Sequence, residues 1–349
     1  MTAILISFTN QNYSRTSVYL DAYTENNAKM KFIKLPANFR KYSVEVWKLR
    51  NVLRDRNNKV VVMSPCHILV PIIKIITGRS VYIDAGWPLS DATAGNTHRV
   101  TFLLKYLKNL MIDFLAFQIS SRIMLESNAQ VNHVSKKFLI NKKKLRVLFT
   151  GLNEKRFDST NPNLDDTILK KLGINYKNGY VFFRGKNVKE SGLVNIMALV
   201  DKVNENMKFV IATNSPLPLP KKVHNVIIIT KKLTDNEIAA LYRKSIINLG
   251  QMSNSKRLNL TIPHKAFESG YFGKTYLAIS KDGIRELYDE NIQILYIEKF
   301  SIFEVIRKLN EISVDKKKRT SYESSIKERY SKVASQIFLQ NQFLKAIEE

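Results

Sequence analysis

The segment between Pro263 and Gly273 places ionisable side chains at helical spacing. Pro263 suits the first turn of a helix, and Gly273 suits the position just past its end. Glu268 lies four residues after His264 and three after Lys265, so the three side chains would share one stripe of that helix. A diphosphate near the cationic, dipole-positive first turn and a ribose diol near the carboxylate would satisfy this pattern. From the spacing alone, a surface helix with an ion pair is the simpler interpretation.

Two cations follow an apolar run, residues 180–183, that is typical of a buried strand. They are Arg184 and Lys186, and we expect a helix to begin near Glu190. Ligands of α/β sheets bind at the carboxyl ends of strands, where these cations would suit a phosphate. Strand ends also carry solvated cations, so this turn is by itself a weak signal for a site.

A third strand-end pattern joins an apolar run, residues 81–83, to Asp84 and then to Trp87. A carboxylate that faces a cleft between domains could serve acid–base or charge-stabilising chemistry, and an indole could stack on a sugar. An aspartate that caps the following turn explains the same residues equally well.

The patterns of common metal and cofactor sites are absent from the sequence. The five histidines show no zinc-ligand spacing, and there is no Gly-x-Gly-x-x-Gly, P-loop or Asp-x-Asp pattern. Cys66 is the single cysteine, which excludes a disulfide within the chain and fits a reducing compartment. We therefore predict no metal site and no resident cofactor.

The charge balance is strongly basic. The 349 residues include 56 Lys and Arg against 30 Asp and Glu, which is a net charge of +26. Such an excess attracts polyanions such as nucleic acid, anionic lipid and phosphorylated substrates, although lysines scattered over a solvated surface explain it equally well. No signal peptide is visible, and no apolar run reaches about 18 residues. These features predict a cytoplasmic location and no membrane span.

Continuous apolar runs alternate along the chain with segments of helical period. Runs that are apolar at consecutive positions suit strands buried on both faces, so we expect parallel sheets covered by helices in a doubly wound α/β arrangement. Thr234 and Glu237 form a capping-box pattern at the start of one helix. The predicted strands are residues 4–8, 60–63, 81–83, 123–125, 147–149, 181–183, 209–212, 226–229, 246–249, 276–279 and 292–297.

A polar stretch, residues 151–172, separates two apolar halves that could each form a sheet. We expect one domain over residues 1–151 and a second over residues 152–321. A last helix, within residues 322–349, is expected to pack back on the first domain.

The order of these motifs resembles the retaining glycosyltransferases of family 4. That family has the GT-B fold, in which two Rossmann-like doubly wound domains face each other across a cleft. The resemblance covers nearly the whole chain, and its helix motif is fairly specific. The residues that carry it are 262–268 with Gly273 and Lys274, 183–186 with 190–192, 127–138 with 145–157, and Tyr13, Ser14 and Arg15.

The resemblance implies transfer of a sugar from a nucleoside-diphosphate sugar, with retention and without a metal. It implies an acceptor-side first domain and a second domain that binds the nucleotide sugar. The implied donor-binding residues are Arg184, Gly185, Lys186, Arg257, His264, Lys265 and Glu268. The implied catalytic residues are Asp84, Lys186 and Glu268, and those on the acceptor side are Tyr13, Arg15 and Trp87.

The chain departs from the family pattern at four positions. Leu260 stands where the first of two glutamates would be, and Asp84 replaces a histidine near the reacting sugar. Lys186 replaces the diphosphate arginine, and Ser191 replaces the lysine that follows it. A second hypothesis is therefore a degenerate homologue that binds a sugar nucleotide without turnover. A third, a nucleic-acid-binding protein, ranks lower because the sequence has no continuous basic stripe and no known reader motif.

The acceptor is not identified by the sequence, and we expect a lipid-linked or surface-glycan precursor at the inner face of the plasma membrane. Two features lead to this expectation of membrane association. They are the basic net charge and residues 100–117, where an apolar stripe lies opposite Lys105 and Lys108. We expect this helix to lie in the core and scattered lysines from several elements to form the face that docks on an anionic bilayer.

Overall fold

The structure, a computed structural model, describes residues 2–20, 29–93, 100–176, 178–186, 188–213, 224–289 and 292–348. The chain divides into two compact units, of which the first comprises Met1–Asn153 with Gln336–Glu349 and the second Glu154–Ser335. The chain thus returns to the first unit at residue 336, whereas the sequence placed this return at residue 322. Among the described residues, no helix is long and apolar enough to cross a membrane.

The first unit is an α/β unit with a six-stranded, wholly parallel sheet in the order β2-β1-β3-β4-β5-β6. Its strands are β1 Thr2–Ser7, β2 Lys29–Lys34, β3 Asn58–Met63, β4 Tyr82–Gly86, β5 Arg122–Leu125 and β6 Leu145–Val147. Its helices are α1 Ser14–Leu20, α2 Phe39–Lys48, α3 Arg50–Arg54, α4 Leu69–Thr77, α5 Leu89–Thr93, α6 Val100–Ile119, α7 Asn128–Phe138 and α16 Gln336–Glu348, with a 3-10 turn at Lys142–Lys144.

Consecutive apolar residues in the central strands feed two separate cores. In β3, Val60 and Val62 pack into a cluster with α2, α3, α4, α6 and α7, whereas Val61 and Met63 pack into a cluster with α1 and α16. Helices therefore cover both faces of this sheet, as the continuous apolar runs predicted. The stacked rings of Tyr19 in α1 and Phe343 in α16, 4.8 Å apart, fix the last helix on this unit.

The edge strand β2 was not predicted from the sequence. Three of its six residues are lysines, and its longest apolar run is Phe32 with Ile33. Lys31 and Lys34 are exposed. A strand at a sheet edge does not need apolar side chains on both faces, and exposed lysines discourage pairing with another chain. A search for continuous apolar runs therefore passes over it.

Helix α6 lies in the core along only one of its apolar sides, where Phe117 is buried and Leu110 packs against the same cluster. Leu103, Leu107 and Phe114 of the predicted apolar stripe are 45%, 46% and 42% exposed. The buried residues of this helix are Asp113, Ala116 and Phe117. The expectation of a core helix therefore holds for only part of the stripe, because the helix is apolar on two sides and helical period alone does not tell which side faces the sheet.

The second unit has a wholly parallel six-stranded sheet in the order β12-β11-β10-β7-β8-β9. Its strands are β7 Tyr180–Arg184, β8 Phe209–Ala212, β9 Val226–Ile229, β10 Ser245–Leu249, β11 Tyr276–Ile279 and β12 Leu295–Ile297. Its helices are α8 Lys155–Asp158, α9 Asp165–Lys171, α10 Leu193–Val200, α11 Asp235–Lys244, α12 His264–Tyr271, α13 Asp282–Leu287, α14 Ile302–Val314 and α15 Lys316–Val333, with 3-10 turns at Pro162–Leu164, Lys189–Ser191 and Lys256–Asn259.

The strand order of the second unit reverses direction between β7 and β10. Counted from β7, the order is the 3-2-1-4-5-6 arrangement of a Rossmann-type sheet, whose ligands bind outside the carboxyl ends of the strands at the reversal. Thr234 and Glu237 form the predicted capping box at the start of α11. Helix α15 packs on α12, where Tyr330 lies 6.2 Å from the Tyr271 ring, so residues 322–333 belong to this unit rather than to the first.

Candidate functional site

A pocket of about 820 Å³ opens at the point where the strand order of the second unit reverses. Ligand pockets are commonly about 300–1,000 Å³. Its lining comes from the ends of β7 and β8, the segment after β9, and the first turns of α11 and α12. The lining residues are Arg156, Arg184, Gly185, Lys186, Val188, Ser191, Ala212, Thr213, Thr230, Lys231, Lys232, Leu233, Ile238, Gln251, His264, Lys265 and Glu268.

Helix α12 brings three of these side chains to the pocket. Pro263 precedes it with extended backbone, so the helix begins at His264, one residue later than the sequence suggested. Gly273, at φ +59°, ends it in the left-handed conformation that a glycine adopts without strain. Gly270 lets the helix pack closely, since a Cβ there would lie 2.0 Å from the Tyr288 hydroxyl.

Glu268 is the centre of a buried hydrogen-bond network. Arg184 donates from Nη2 to its Oε1, and His264 Nδ1 lies 3.3 Å from the same oxygen. The Tyr242 hydroxyl donates to Oε2 over 2.5 Å. Burial by itself would raise the pKa of Glu268, but the charge of Arg184 and these hydrogen bonds outweigh it and hold the pKa well below its usual range. The carboxylate is therefore ionised at neutral pH.

Lys265 is buried beside this network, and its ammonium group forms no ion pair with a carboxylate among the described residues. Its side-chain nitrogen lies 3.8 Å from the centroid of the Phe183 ring, and the residue is 8% exposed. Burial, followed by the positive charge of Arg184, lowers its pKa to about 7, although Glu268 acts in the opposite sense. Its charge is thus sensitive to a negative group in the pocket.

Four buried polar atoms of the pocket lining have no hydrogen-bond partner among the described residues. They are Arg184 Nε, Lys265 Nζ, Thr213 Oγ1 and Gln251 Oε1. A buried polar group without a partner costs about 1–3 kcal/mol, so several of them around one pocket indicate a polar ligand. Arg184 Nε and Lys265 Nζ are nitrogens that can donate a hydrogen bond. Gln251 Oε1 can accept one, and the Thr213 hydroxyl can do either.

The charge of the pocket lining suits an anion. Lys and Arg supply six of its side chains, and Glu268 is its single carboxylate. Arg156 pairs with Asp235, and Lys231 pairs with Glu237 over 2.6 Å. Within the described part of the chain, no carboxylate pairs with the remaining lysines, which are Lys186, Lys232 and Lys265.

The structure brings six of the seven predicted donor-binding residues into this one pocket. They are Arg184, Gly185, Lys186, His264, Lys265 and Glu268. Arg257 is not part of the lining and lies with Nη1 3.8 Å from Glu190 Oε1. Leu260, at the end of a 3-10 turn, also lies outside it, and Asn187 in the turn after β7 falls outside the described residues.

Three further residues of the site were missed from the sequence. Tyr242 lies in the interior of α11 and carries no sequence signal that separates it from a core aromatic. Thr213 and Gln251 follow β8 and β10 within two residues. The rule that ligands meet the carboxyl ends of strands would have found both.

In the first unit, Arg15 and Asp84 form a buried ion pair. Arg15 Nε donates to Asp84 Oδ2 over 3.0 Å, and Nη2 donates to Oδ1. The guanidinium also donates to the Thr150 hydroxyl over 3.0 Å and to the Leu148 carbonyl over 3.1 Å. The two side chains are 1% and 0% exposed. Asp84 therefore holds Arg15 inside the unit, and its predicted role beside a reacting sugar stays a prediction.

Tyr13 and Trp87 flank this ion pair along the chain and are half-buried. Burial, the largest effect, raises the pKa of the Tyr13 phenol. Gly86 takes φ +64°, and a Cβ there would lie 3.3 Å from Arg15 Cδ, so the backbone before Trp87 passes close to the buried guanidinium. Their acceptor-side role stays a prediction.

No group of three or more His, Cys, Asp and Glu side chains is placed to hold a metal ion within the described ranges. Cys66 is a buried free thiol whose sulfur accepts from the Phe8 backbone N–H over 3.0 Å. Burial raises its pKa, which suits a structural thiol rather than a nucleophile.

No protein-family model matches the chain, and no curated protein sequence matches it. Solved structures match it over its full length. HepE from Anabaena, in complex with UDP-glucose, has a TM-score of 0.75 at 11% identity, covering 100% of this chain and 99% of that one. Sucrose-phosphate synthase from Thermosynechococcus elongatus has a TM-score of 0.73 at 10% identity, covering 99% and 98%. WaaG, a glycosyltransferase involved in lipopolysaccharide biosynthesis, has a TM-score of 0.68 at 12% identity, covering 99% of each chain.

These likenesses establish the fold. The two parallel six-stranded sheets with their flanking helices match GT-B structures with full coverage, so the chain has the GT-B fold that its motifs resemble.

Proposed function

We propose that this GT-B protein is a glycosyltransferase whose second unit binds a nucleoside-diphosphate sugar. The observation that carries the proposal is the pocket at the strand reversal, where four unpartnered polar atoms surround a basic cavity. Support from outside the chain is that HepE, a protein of the same fold, is found in complex with UDP-glucose. A diphosphate supplies the negative charge that this lining lacks, and a nucleoside supplies hydrogen-bonding groups.

The diphosphate would lie between the turn after β7 and the first turn of α12. Arg184, Lys186 and Lys265 would donate to its oxygens, together with the dipole-positive start of α12. A carboxylate has about four lone-pair directions, and Arg184, His264 and Tyr242 occupy three of those of Glu268. One direction remains for a ribose hydroxyl.

The reaction would be a transfer with retention that needs no bound metal. The bond between the anomeric carbon and the diphosphate oxygen breaks, and a bond to an acceptor hydroxyl oxygen forms on the same face of the sugar. The acceptor proton leaves with the departing diphosphate. Fixed cations aimed at the diphosphate stabilise the charge that develops as this bond breaks. Lys186 and Lys265 are the candidates because neither is paired with a carboxylate among the described residues.

The acceptor would be a lipid-linked or surface-glycan precursor, and the protein would work as a peripheral protein at the inner face of the plasma membrane. The net charge of +26 supports this part of the proposal, since it favours an anionic surface.

Isothermal titration with the UDP and GDP series, each with and without a sugar and all in EDTA, tests the donor site. We expect saturable binding of one nucleotide series at one site per chain. Absence of binding to every nucleotide would contradict the proposal. A donor–acceptor screen that reads out product then tests turnover.

The second candidate, a protein that binds a sugar nucleotide without turnover, is favoured by the first unit. The carboxylate predicted to act there, Asp84, is 0% exposed and engaged through both oxygens by Arg15. Nucleotide binding without product from any donor–acceptor pair would favour this candidate. Detection of a glycosylated acceptor would exclude it.

A further inference from the structure

Helix α6 exposes a continuous line of large apolar side chains. When the helix is viewed down its axis, with 100° between successive residues, seven exposed apolar side chains fall within a sector of about 120°. This sector lies on the side away from the buried Phe117 and Ala116. We name this line the α6 apolar stripe. Its members are Val100, Leu103, Leu104, Leu107, Met111, Phe114 and Leu115, and each is 42–75% exposed.

Such a stripe is unusual for a surface helix. Single exposed apolar residues are normal, but contiguous apolar patches mark surfaces that another phase or molecule covers. The described residues include 19 exposed large apolar side chains, and this one helix of 20 residues carries seven of them.

The chain segment that carries the stripe is basic, and both of its carboxylates are buried. Asp91, in the neighbouring helix α5, is paired with His133 and Lys137. Residues 100–147 contain nine Lys and Arg and two carboxylates, Asp113 and Glu126, which are 0% and 3% exposed. The Asp113 carboxylate accepts hydrogen bonds from the backbone N–H groups of Leu89 and Ser90, so its charge is directed into the unit and away from the exposed lysines. The exposed lysines of the range are Lys105, Lys108, Lys136, Lys142 and Lys143.

Two contacts join the C-terminal end of α6 to the basic 3-10 turn and to the end of α7. Lys144 donates from Nζ to the Gln118 carbonyl over 2.8 Å, and the Gln118 side chain donates to the Phe138 carbonyl over 2.9 Å. The next residue, Leu139, is 83% exposed at φ 54°. Apolar and cationic side chains therefore meet near the C-terminal end of the helix. At 100° per residue, Lys108 lies about 20° beyond one edge of the stripe, and Lys105 lies about 80° beyond the same edge, toward Ala116.

We propose that α6 lies flat in the interface of an anionic lipid bilayer, with its apolar stripe among the acyl chains and its lysines at the headgroups. A helix of this length extends about 30 Å along the surface. A second copy of the chain would also cover the stripe, but it would bring these exposed lysines toward their own copies without a carboxylate between them. An anionic bilayer satisfies the apolar and the cationic side chains together.

This inference deepens the proposed function, because it rests on the part that places the acceptor on a membrane and it names the element that docks. Scattered lysines were expected to form the docking face, with α6 in the core. The exposed stripe instead makes α6 the docking element and the lysines its electrostatic complement.

Co-sedimentation with vesicles of phosphatidylcholine, either alone or with roughly 30% phosphatidylglycerol, tests the inference. We expect the full chain to bind the anionic vesicles and to bind less as salt rises. Replacing Leu107→Glu and Met111→Glu together should weaken binding by at least about tenfold, because charges replace the centre of the inserted stripe. The matched control is Val194→Glu with Phe303→Glu, which are 79% and 80% exposed in the second unit and should leave binding unchanged.

Two further measurements separate the alternatives. A Leu107→Trp variant should shift its emission to the blue on anionic vesicles, whereas a Phe303→Trp variant should not. Equal vesicle binding by the stripe and control variants, or no binding by the parent chain at low salt, overturns the inference. So does a parent chain that sediments as a dimer, ignores vesicles and becomes monomeric in the stripe variant. The thermal shift produced by UDP-glucose reports the donor site in every variant, so failure of docking and failure of the donor site are distinguishable.

Discussion

Arg184 and Glu268 form an ion pair in the lining of the second unit's pocket, although they come from different elements, the end of β7 and the middle of α12. The Glu268 side chain is 1% exposed and that of Arg184 is 32% exposed. The buried carboxylate thus orients a guanidinium that still reaches solvent. An arginine held in this way is already aimed before an anion arrives, which reduces the entropy lost on binding.

Replacing Glu268→Gln should weaken the binding of the nucleoside-diphosphate sugar that the titration identifies by at least about tenfold, because the amide loses the charge that orients Arg184 and one oxygen that accepts hydrogen bonds. Stability should fall by no more than about 3 kcal/mol, since Arg184 can turn toward water. Isothermal titration measures the first effect and urea unfolding the second. Glu205→Gln, at an exposed position, is the control. Equal affinities in both variants would show that Glu268 does not shape the donor site.

A side chain at Gly185 would crowd Lys265. A Cβ at this position would lie 2.9 Å from Phe183 Cζ and 3.2 Å from Lys265 Nζ, and Phe183 is too buried to retreat. Gly185→Ala should therefore displace the lysine and cost about 1 kcal/mol or more of binding free energy, which is roughly fivefold in affinity for the nucleoside-diphosphate sugar that the titration identifies.

The control for this substitution is Gly173→Ala. Gly173 takes φ +76°, and no atom lies within 4 Å of the position that a Cβ would occupy. Its replacement therefore costs about 1 kcal/mol of stability through backbone strain alone. Nucleotide affinity should not change there. If both alanine variants bind that nucleotide sugar as tightly as the parent chain does, crowding at Gly185 plays no part in the site.

The parts of the site that the sequence predicted are those that follow from local spacing. His264, Lys265 and Glu268 belong to one short helix, so their separation along the chain determines that they share a face. The cations after β7 were predictable because strand ends and ligands coincide in α/β sheets. Neither rule depends on which other element packs nearby.

The parts that were missed depend on packing between elements. Tyr242 reaches Glu268 only because α11 and α12 pack near each other, and the spacing of residues within α11 carries no information about that packing. The side of α6 that faces the sheet was assigned wrongly for the same reason, since Phe114 and Phe117 are equally apolar and only one is buried. Asp84 was predicted as a reactive carboxylate because its partner, Arg15, lies 69 positions away.

Asp84→Asn should destabilise the protein by about 3–5 kcal/mol, because it leaves the buried guanidinium of Arg15 without a counter-charge. The double variant Arg15→Met with Asp84→Leu should recover much of this loss, since a well-packed apolar pair avoids the burial of either charge. Urea unfolding of the full chain measures both. If Asp84 acts only in chemistry, Asp84→Asn will keep its stability and lose turnover instead.

The pKa of Lys265, lowered to about 7 chiefly by burial, predicts a pH dependence of stability. The unfolded chain binds this proton up to a pH of about 10.4, whereas the folded chain releases it above about 7. Between these values the unfolded state holds more protons, so the free energy of unfolding rises with pH across this window. A Lys265→Met variant should be more stable than the parent chain at pH 7, and the difference should shrink as the pH approaches 10. Urea unfolding at several pH values measures this, and a constant difference would contradict it.

The same lysine predicts that nucleotide-sugar binding takes up a proton. The groups that face its nitrogen are the Arg184 guanidinium, the Glu268 carboxylate and the Phe183 ring. Glu268 is the one negative group among them, and its charge is already paired with Arg184. A bound diphosphate favours the ammonium form, so at pH 7 binding should take up as much as about half a proton, with more at pH 8 and less at pH 6. The affinity for the nucleotide sugar should accordingly fall as the pH rises above 7. Titration calorimetry in buffers of different ionisation enthalpy measures the uptake directly.

Lys265→Met keeps His264 and Glu268 and should lose the uptake, so any proton that the variant still takes up belongs to another group. Uptake that is zero in the parent chain, or equal in parent and variant, would place the diphosphate away from Lys265.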